Sequence, residues 1–288
     1  MYSRLDHAVL AVRDLEEAAA SFHRLGFHVV PGGEHPCWGT RNCLIFFDLT
    51  YLELVTVTEP DRARSTGFGG AVADALERGE GLVTAVPGTR DAAGLARVLR
   101  ARGTPCGDPE PGERRRPDGS LVTWRNLFLP PPPGVPLLFA IEHGRPDPER
   151  RADLAAAGAL QPHPLGVTGL TGVAWVAPDG AAAARALGAA LGLEAVGPEV
   201  DPALGARVWQ VPLPGGGLEV HEPLGAEGPA GQALARRGPG AYALRLRAPD
   251  LAAARRHLAG ASVPAAEVAG ALVVPPEAAH GAWLRLGP

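Results

Sequence analysis

Apolar and polar positions along the chain follow one frame that is used four times. Leu5 to Val12 is a short apolar run with the spacing of a buried strand. Asp14 follows, seven positions after His7. Its carboxylate suits a helix N-cap, because it can accept from the free N–H groups of the first turn. Leu15 to Leu25 is Ala-rich with helical apolar spacing, and Gly26 is a suitable stop. Phe27 to Val30 restarts as a strand that Pro31-Gly32-Gly33 is expected to break. Cys43 to Phe47 and Tyr51 to Val57 read as strands around the turn Asp48-Leu49-Thr50. The predicted order is β-α-β-β-β, followed by a connector from Thr58 to Gly81 with a short helix at Ala71 to Arg78.

The seven-residue step recurs at Thr84 to Asp91, Gly172 to Asp179 and Ala243 to Asp250. Helices are predicted after each: Ala92 to Arg102, Ala181 to Leu191 and Leu251 to Leu258. Gly103, Gly192 and Gly260 stand at their ends. The later strands of the second unit are Ser120 to Leu129, after the hairpin signal Asp118-Gly119, and Pro136 to Glu142. Pro130 to Pro133 between them cannot donate to a ladder. Those of the third are Arg207 to Leu213 and Gly217 to His221, and of the fourth Leu272 to Val274 and Ala282 to Leu286. Gly144 to Thr168 reads as a linker with a short helical stretch at Ala152 to Ala157. Four such frames point to duplication. The expected fold class is α+β: four βαβββ modules paired into two domains, each a curved mixed-sheet cup with helices outside. The boundaries are 1–143 (modules 4–57 and 81–143), linker 144–168, and 169–288 (modules 169–222 and 241–288).

Composition narrows the chemistry. All 27 basic residues are arginine. This excludes a lysine Schiff base and the Walker-A phosphate loop. No Gly-x-Ser-x-Gly elbow occurs. A net charge of -4 offers no electrostatic case for nucleic acid. No apolar run reaches the ~18 residues of a membrane span. Together with an N-terminus lacking a signal-type apolar region, this leads to an expectation of a cytoplasmic protein, monomer or homodimer. Cys37, Cys43 and Cys106 lack metal spacing and are read as reduced thiols. Arg114-Arg115-Arg116 is read as a solvated loop in preference to an anion site.

Several stretches resemble a known family. They are Leu5-Asp6-His7 with Asp14, the loop Gly33-Glu34-His35-Pro36-Cys37-Trp38-Gly39-Thr40-Arg41-Asn42, Tyr51-Leu52-Glu53-Leu54, Gly79-Glu80-Gly81-Leu82, Arg116-Pro117-Asp118-Gly119, and Pro136 to Glu142. They resemble the glyoxalase-like branch of the vicinal oxygen chelate superfamily, well over residues 4–143 and as a worn repeat over 169–288. The resemblance implies a ligand site inside a cup of paired modules. In such proteins a divalent metal is typically held by His, Gln or Glu from the first and last strands of each module. The superfamily also contains metal-free binders of antibiotics and other small molecules, so fold alone does not decide function.

Carried over by position, the resemblance implies His7, Glu53 and Glu142 as metal ligands, with Thr84 a poor fourth. This set suits Mn, Zn, Fe, Ni or Mg. Glu142 and His35 are the candidate catalytic groups. Trp38, Arg41, Asn42, Trp124 and Arg125 are candidates to bind substrate, although strand alternation lets only one of Trp124 and Arg125 face the cup. His143 is expected on the face opposite Glu142, away from the site. In the second domain Gly172 (or Val173) and Ala243 cannot hold a metal, and Trp283 and Leu284 fill the fourth position. Glu219, His221 and His280 remain as weaker pocket candidates. Two readings follow: a metal-dependent isomerase, lyase or oxygenase acting on a small oxygen-rich molecule, or a metal-free small-molecule binder. A buried His7–Glu53 hydrogen bond of purely structural value is the plainest alternative.

Overall fold

The computed structural model describes residues 1–288. The first unit is β1 (Tyr2–Ala11), α1 (Leu15–Arg24), β2 (Val30–His35), β3 (Thr40–Phe47) and β4 (Thr50–Val57). Two connector helices, α2 (Pro60–Arg64) and α3 (Gly67–Glu77), lead to the second: β5 (Gly81–Thr89), α4 (Ala92–Ala101), β6 (Glu110–Arg115), β7 (Leu121–Leu129) and β8 (Leu138–His143). Helix α5 (Asp147–Ala156) precedes the third: β9 (Gly169–Val176), α6 (Gly180–Leu191), β10 (Val196–Asp201), β11 (Ala206–Leu213) and β12 (Gly216–Pro223). After α7 (Pro229–Arg237) comes the fourth: β13 (Gly240–Arg247), α8 (Leu251–Gly260), β14 (Ala266–Val268), β15 (Ala271–Val274) and β16 (Trp283–Gly287).

The recurring aspartates cap as their chemistry predicts. Asp14, Asp91, Asp179 and Asp250 accept from the backbone N–H of Glu17, Gly94, Ala182 and Ala253 at 2.7–2.9 Å. Each bond satisfies one of the orphan donors of a helix start.

Sequence patterning truncates β2 and passes over β6, β10 and β14, the second strand of every unit. These strands lack an apolar face: β10 and β14 are sheet edges and almost wholly exposed. In β2, Pro31-Gly32-Gly33 lies within the strand and does not break it. Gly32 is needed there for space, since a Cβ would collide with Oδ1 of Asn42. Gly112 on β6 leaves room in the same way for the indole of Trp124, which a Cβ would overlap. Helix α7 is a further element that the apolar pattern did not announce.

The first two units form a closed barrel in the order β1-β4-β3-β2-β6-β7-β8-β5. Closure runs through one pair, Glu34 opposite Arg115. The other two units form an open eight-stranded sheet, β10-β11-β12-β9-β13-β16-β15-β14. Residues on the outer face of β1 and β4, such as Ala8, Leu10, Leu52 and Leu54, share one apolar core with Val173 and Leu218 of the second sheet. Inside the barrel, Val9, Ala11 and Val55 are sealed by Phe68, Ala71, Val72 and Ala75 of α3. What remains open is the part of the barrel lined by His7, Tyr51, Phe46 and His143. Arg150, Asp153 and Leu154 of α5 lie against this opening. No helix is long and apolar enough to cross a membrane.

Candidate functional site

The barrel encloses a cavity of about 230 Å³. On β1, residues alternate between the shared core and the barrel interior, and His7 falls inside with Val9. Its ring stacks on Tyr51, with centroids 4.5 Å apart and planes 11° from parallel. A register shift in the β1–β5 pairing between Leu5 and His7 accompanies the fully buried Asp6. Asp6 Oδ1 lies 3.0 Å from His7 Nδ1 and 3.0 Å from His143 Nε2, and Oδ2 accepts from Arg4 Nε at 3.0 Å. Burial opposes ionisation of this carboxyl. His143 and His7 outweigh it and hold Asp6 well below the usual carboxylate range. An ionised carboxylate can only accept, so the ring protons of His7 and His143 sit on the nitrogens facing Asp6. With Nδ1 turned to Asp6, Nε2 of His7 is directed toward Glu53 and the cavity.

Glu53, one strand over on β4, brings Oε2 to 3.9 Å from His7 Nε2. Its Oε1 accepts from Asn42 Nδ2 at 2.6 Å and lies 3.8 Å from His35 Nε2. Asn42 Nδ2 also faces His35 Nε2 at 3.4 Å, while His35 Nδ1 meets Thr40 Oγ1 at 2.9 Å. Burial, then the neighbouring Arg114 and His7, pushes His35 down to about 3, so it is neutral. Trp38 and Trp124 pack against each other with ring centroids 5.5 Å apart and enclose His35.

The structure thus brings together His7, His35, Trp38, Asn42, Glu53 and Trp124. It does not bring in the other three candidates. Arg41, next to Asn42 on β3, points outward and pairs with Glu16 at 2.8 Å. Arg125 is exposed on the outer face, opposite Glu142 in the β7–β8 pairing. The expectation for Glu142 is corrected too: its Oε2 accepts from Ala92 N–H at 2.8 Å, at the start of α4. Ile141 and His143 face the cavity instead. Alternation on β8 was anticipated; the side that faces inward was not, because a short apolar strand does not reveal which parity is inside. Glu222 repeats the device by accepting from Gly180 N–H at the start of α6. Sequence reasoning also missed Asp6, His143 and Asn126 as cavity-associated polar groups, and Arg114 and Arg116, which line the cavity. A polar residue beside His7 in an otherwise apolar run was the available signal for Asp6.

The donor set does not fit the expected metal centre. With Glu142 turned away, no three His, Cys, Asp or Glu side chains are placed to hold one ion. Thr84 spends its hydroxyl on Leu137 O at 2.7 Å. Arg114 brings a fixed positive charge to the cavity where a cation would need neutral or negative neighbours.

In the second sheet the corresponding strands carry a network of ion pairs. His221 Nε2 meets Glu219 Oε2 at 3.0 Å, Arg245 Nε meets Glu219 Oε1 at 2.8 Å, and Arg285 Nε meets Asp201 Oδ2 at 2.7 Å. His280 lies elsewhere, 2.8 Å from Glu80 across the contact between the two halves.

The family described as "Glyoxalase-like domain" matches residues 5–192. No curated protein matches the sequence. A hypothetical protein from Staphylococcus aureus is similar in structure (TM-score 0.71, 15% identity, 98% of each chain covered). A variant of 4-hydroxymandelate synthase from Streptomyces coelicolor superposes with TM-score 0.62 at 20% identity, covering 93% of this chain and 78% of that one. These structures share the fold. A methylmalonyl-CoA epimerase from Mycobacterium tuberculosis aligns over 42% of this chain and 87% of its own, at 27% identity and TM-score 0.37.

Proposed function

The chain belongs to the glyoxalase-like domain family, and from that premise we propose that its N-terminal cup binds a small oxygen-bearing molecule and moves a proton on it, with His7 as the base. The observation that supports this most is the Asp6–His7 pair. An ionised, fully buried carboxylate fixes the tautomer and orientation of an imidazole whose free nitrogen faces the cavity. The same arrangement serves general bases on unrelated folds. His143 gives the carboxylate a second hydrogen bond, and Arg4 supplies its positive partner. Glu53, held by Asn42, supplies a second accepting edge, so a bound hydroxyl could donate to Glu53 with His7 beside it. The aromatic side chains around them exclude water and strengthen these contacts.

The proton transfer can be tested on simple carbonyl compounds. A panel of small ketones and 2-oxo acids is incubated with the protein in D2O, and exchange of hydrogen beside the carbonyl is followed by NMR. Exchange on at least one compound is expected, with a loss of about 10²–10⁴-fold in His7→Gln. It should persist in EDTA, and tag-free protein should contain no stoichiometric divalent metal. A metal at one per chain that disappears in His7→Ala would overturn the metal-free reading and restore the metalloenzyme. Tight binding with no exchange on any compound would leave the cup a sequestering site.

A further inference from the structure

Two arginines that face the cavity are left without full partners. Arg114, on β6, has a buried Nε with no hydrogen-bond partner. Its side chain donates from Nη1 to Asn42 Oδ1 at 3.5 Å, at the limit of a hydrogen bond. Arg150, on α5, has a buried Nη1 that makes no hydrogen bond. The carboxylate nearest to it, Asp147 Oδ1 at 3.5 Å, already takes a two-pronged contact from Arg4 at 2.8 Å on both oxygens. N–H donors buried without an acceptor are costly, and proteins rarely leave them so. Other charges lining the cavity do not remove the excess. Arg114, Arg116, Arg145 and Arg150 line the cavity against the two carboxylates Glu53 and Asp153, and Asp153 is engaged by Arg145 at 2.5 Å. The cavity is therefore positively biased, and its unpaired donors come from two different elements, a barrel strand and the helix across its opening.

We infer that the cup is selective for a small organic acid, with the ligand's carboxylate between Arg114 and Arg150 and its planar body against Trp38 and Trp124. This rests on the reading of the cup as the ligand site and adds the class of ligand. A guanidinium presents paired N–H donors that match the two oxygens of a carboxylate. The cavity volume, about 230 Å³, lies below the ~300–1,000 Å³ of drug-sized pockets and suits a single-ring acid. The buried Asn126 Oδ1, also without a partner, can accept from a hydroxyl on that body. Placing the acid group at Arg114 and Arg150 leaves the rest of the molecule to meet His7 and Glu53.

Isothermal calorimetry with benzoate, phenylpyruvate, benzamide and inorganic phosphate tests this on the full chain. Benzoate or phenylpyruvate is expected to bind, and benzamide, the neutral isostere, to bind about tenfold more weakly or worse. Arg114→Gln and Arg150→Gln should each weaken carboxylate binding by about 10- to 100-fold. Arg125→Gln, on the outer face, should leave it unchanged. Circular dichroism checks the fold of each variant, and either arginine variant alone suffices if the other fails to fold. The inference is overturned by any of four results: no carboxylate binding up to about 10 mM, equal affinity for benzamide, phosphate displacing the acids, or unaltered affinity in the arginine variants. Arg114-dependent binding without hydrogen exchange would overturn only the proton-transfer reading. Exchange that persists with an unchanged KM in Arg114→Gln would overturn only the acid-binding one.

Discussion

His35 shows how the cavity sets the chemistry of a single side chain. Its loop, with His35, Trp38 and Asn42, was readable as a pocket wall, but its ionisation was not. Burial lowers His35 from 6.5 to about 3, and Arg114 and His7 add to the effect. The unfolded chain takes up a proton at this residue as pH falls below 6.5, whereas the folded protein does not until about 3. The stability contributed by neutral His35 is therefore complete above pH 6.5 and declines as pH falls toward 3, on the order of 1 kcal/mol per pH unit. Urea unfolding between pH 7 and 4 should show this slope, and His35→Gln should flatten it. An equally steep profile in the variant would refute the buried, neutral assignment. Asp6 acts in the same direction at lower pH: its paired carboxylate stabilises above the ordinary carboxylate range, and the effect is lost as acid protonates it.

Helix starts are the best-preserved part of the repeated element. Each of the four aspartate caps is legible from local spacing, because a cap needs only a carboxylate and the N–H groups of the following turn. Glu142 extends the device through space. It reaches from β8 to the first N–H of α4, and its charge also favours the positive end of the helix. Glu142→Ala should lower stability by about 1 kcal/mol, while carboxylate affinity and hydrogen exchange stay as in the parent protein. A large loss of either would return Glu142 to the site. The second strand of each unit was the element least visible in the sequence. Strands such as β2 and β6 pair by backbone hydrogen bonds, with glycine where a neighbouring side chain needs room, and such pairing leaves no period-two apolar signature.

At the scale of the whole molecule the two sheets are joined by a common apolar core and not by the covalent link alone. Tyr2 hydroxyl donates to Leu191 O at 3.0 Å, and Leu165 N–H to Gly26 O at 2.9 Å, beside that core. Unfolding should be a single cooperative transition. Trp38 and Trp124 report on the first half; Trp175, Trp209 and Trp283 report on the second. Fluorescence of variants retaining tryptophans in only one half should give the same urea midpoint as circular dichroism. Midpoints that separate would show two independently stable halves. The asymmetry of the halves also belongs to this scale: one sheet closes and keeps a cavity, while the other stays open and carries the ion pairs of Arg245, Glu219, Asp201 and Arg285.

Residue order alone determined the strand-to-helix start of each of the four units, their caps and their closing strands, and it marked His7, Glu53, Asn42 and Trp38 as candidates for one cup. All of these depend on periodicity and on contacts a few residues apart. The tertiary structure decided what depends on which face of a strand points inward and on what lies across the barrel. It turned Glu142 out and His143 in, joined Asp6 to both histidines, and set Arg114 and Arg150, from a strand and a helix far apart in the chain, at one cavity. Strand alternation specifies two faces but not which is enclosed. A buried donor left without an acceptor is recognisable only once every neighbour that could have accepted from it is known.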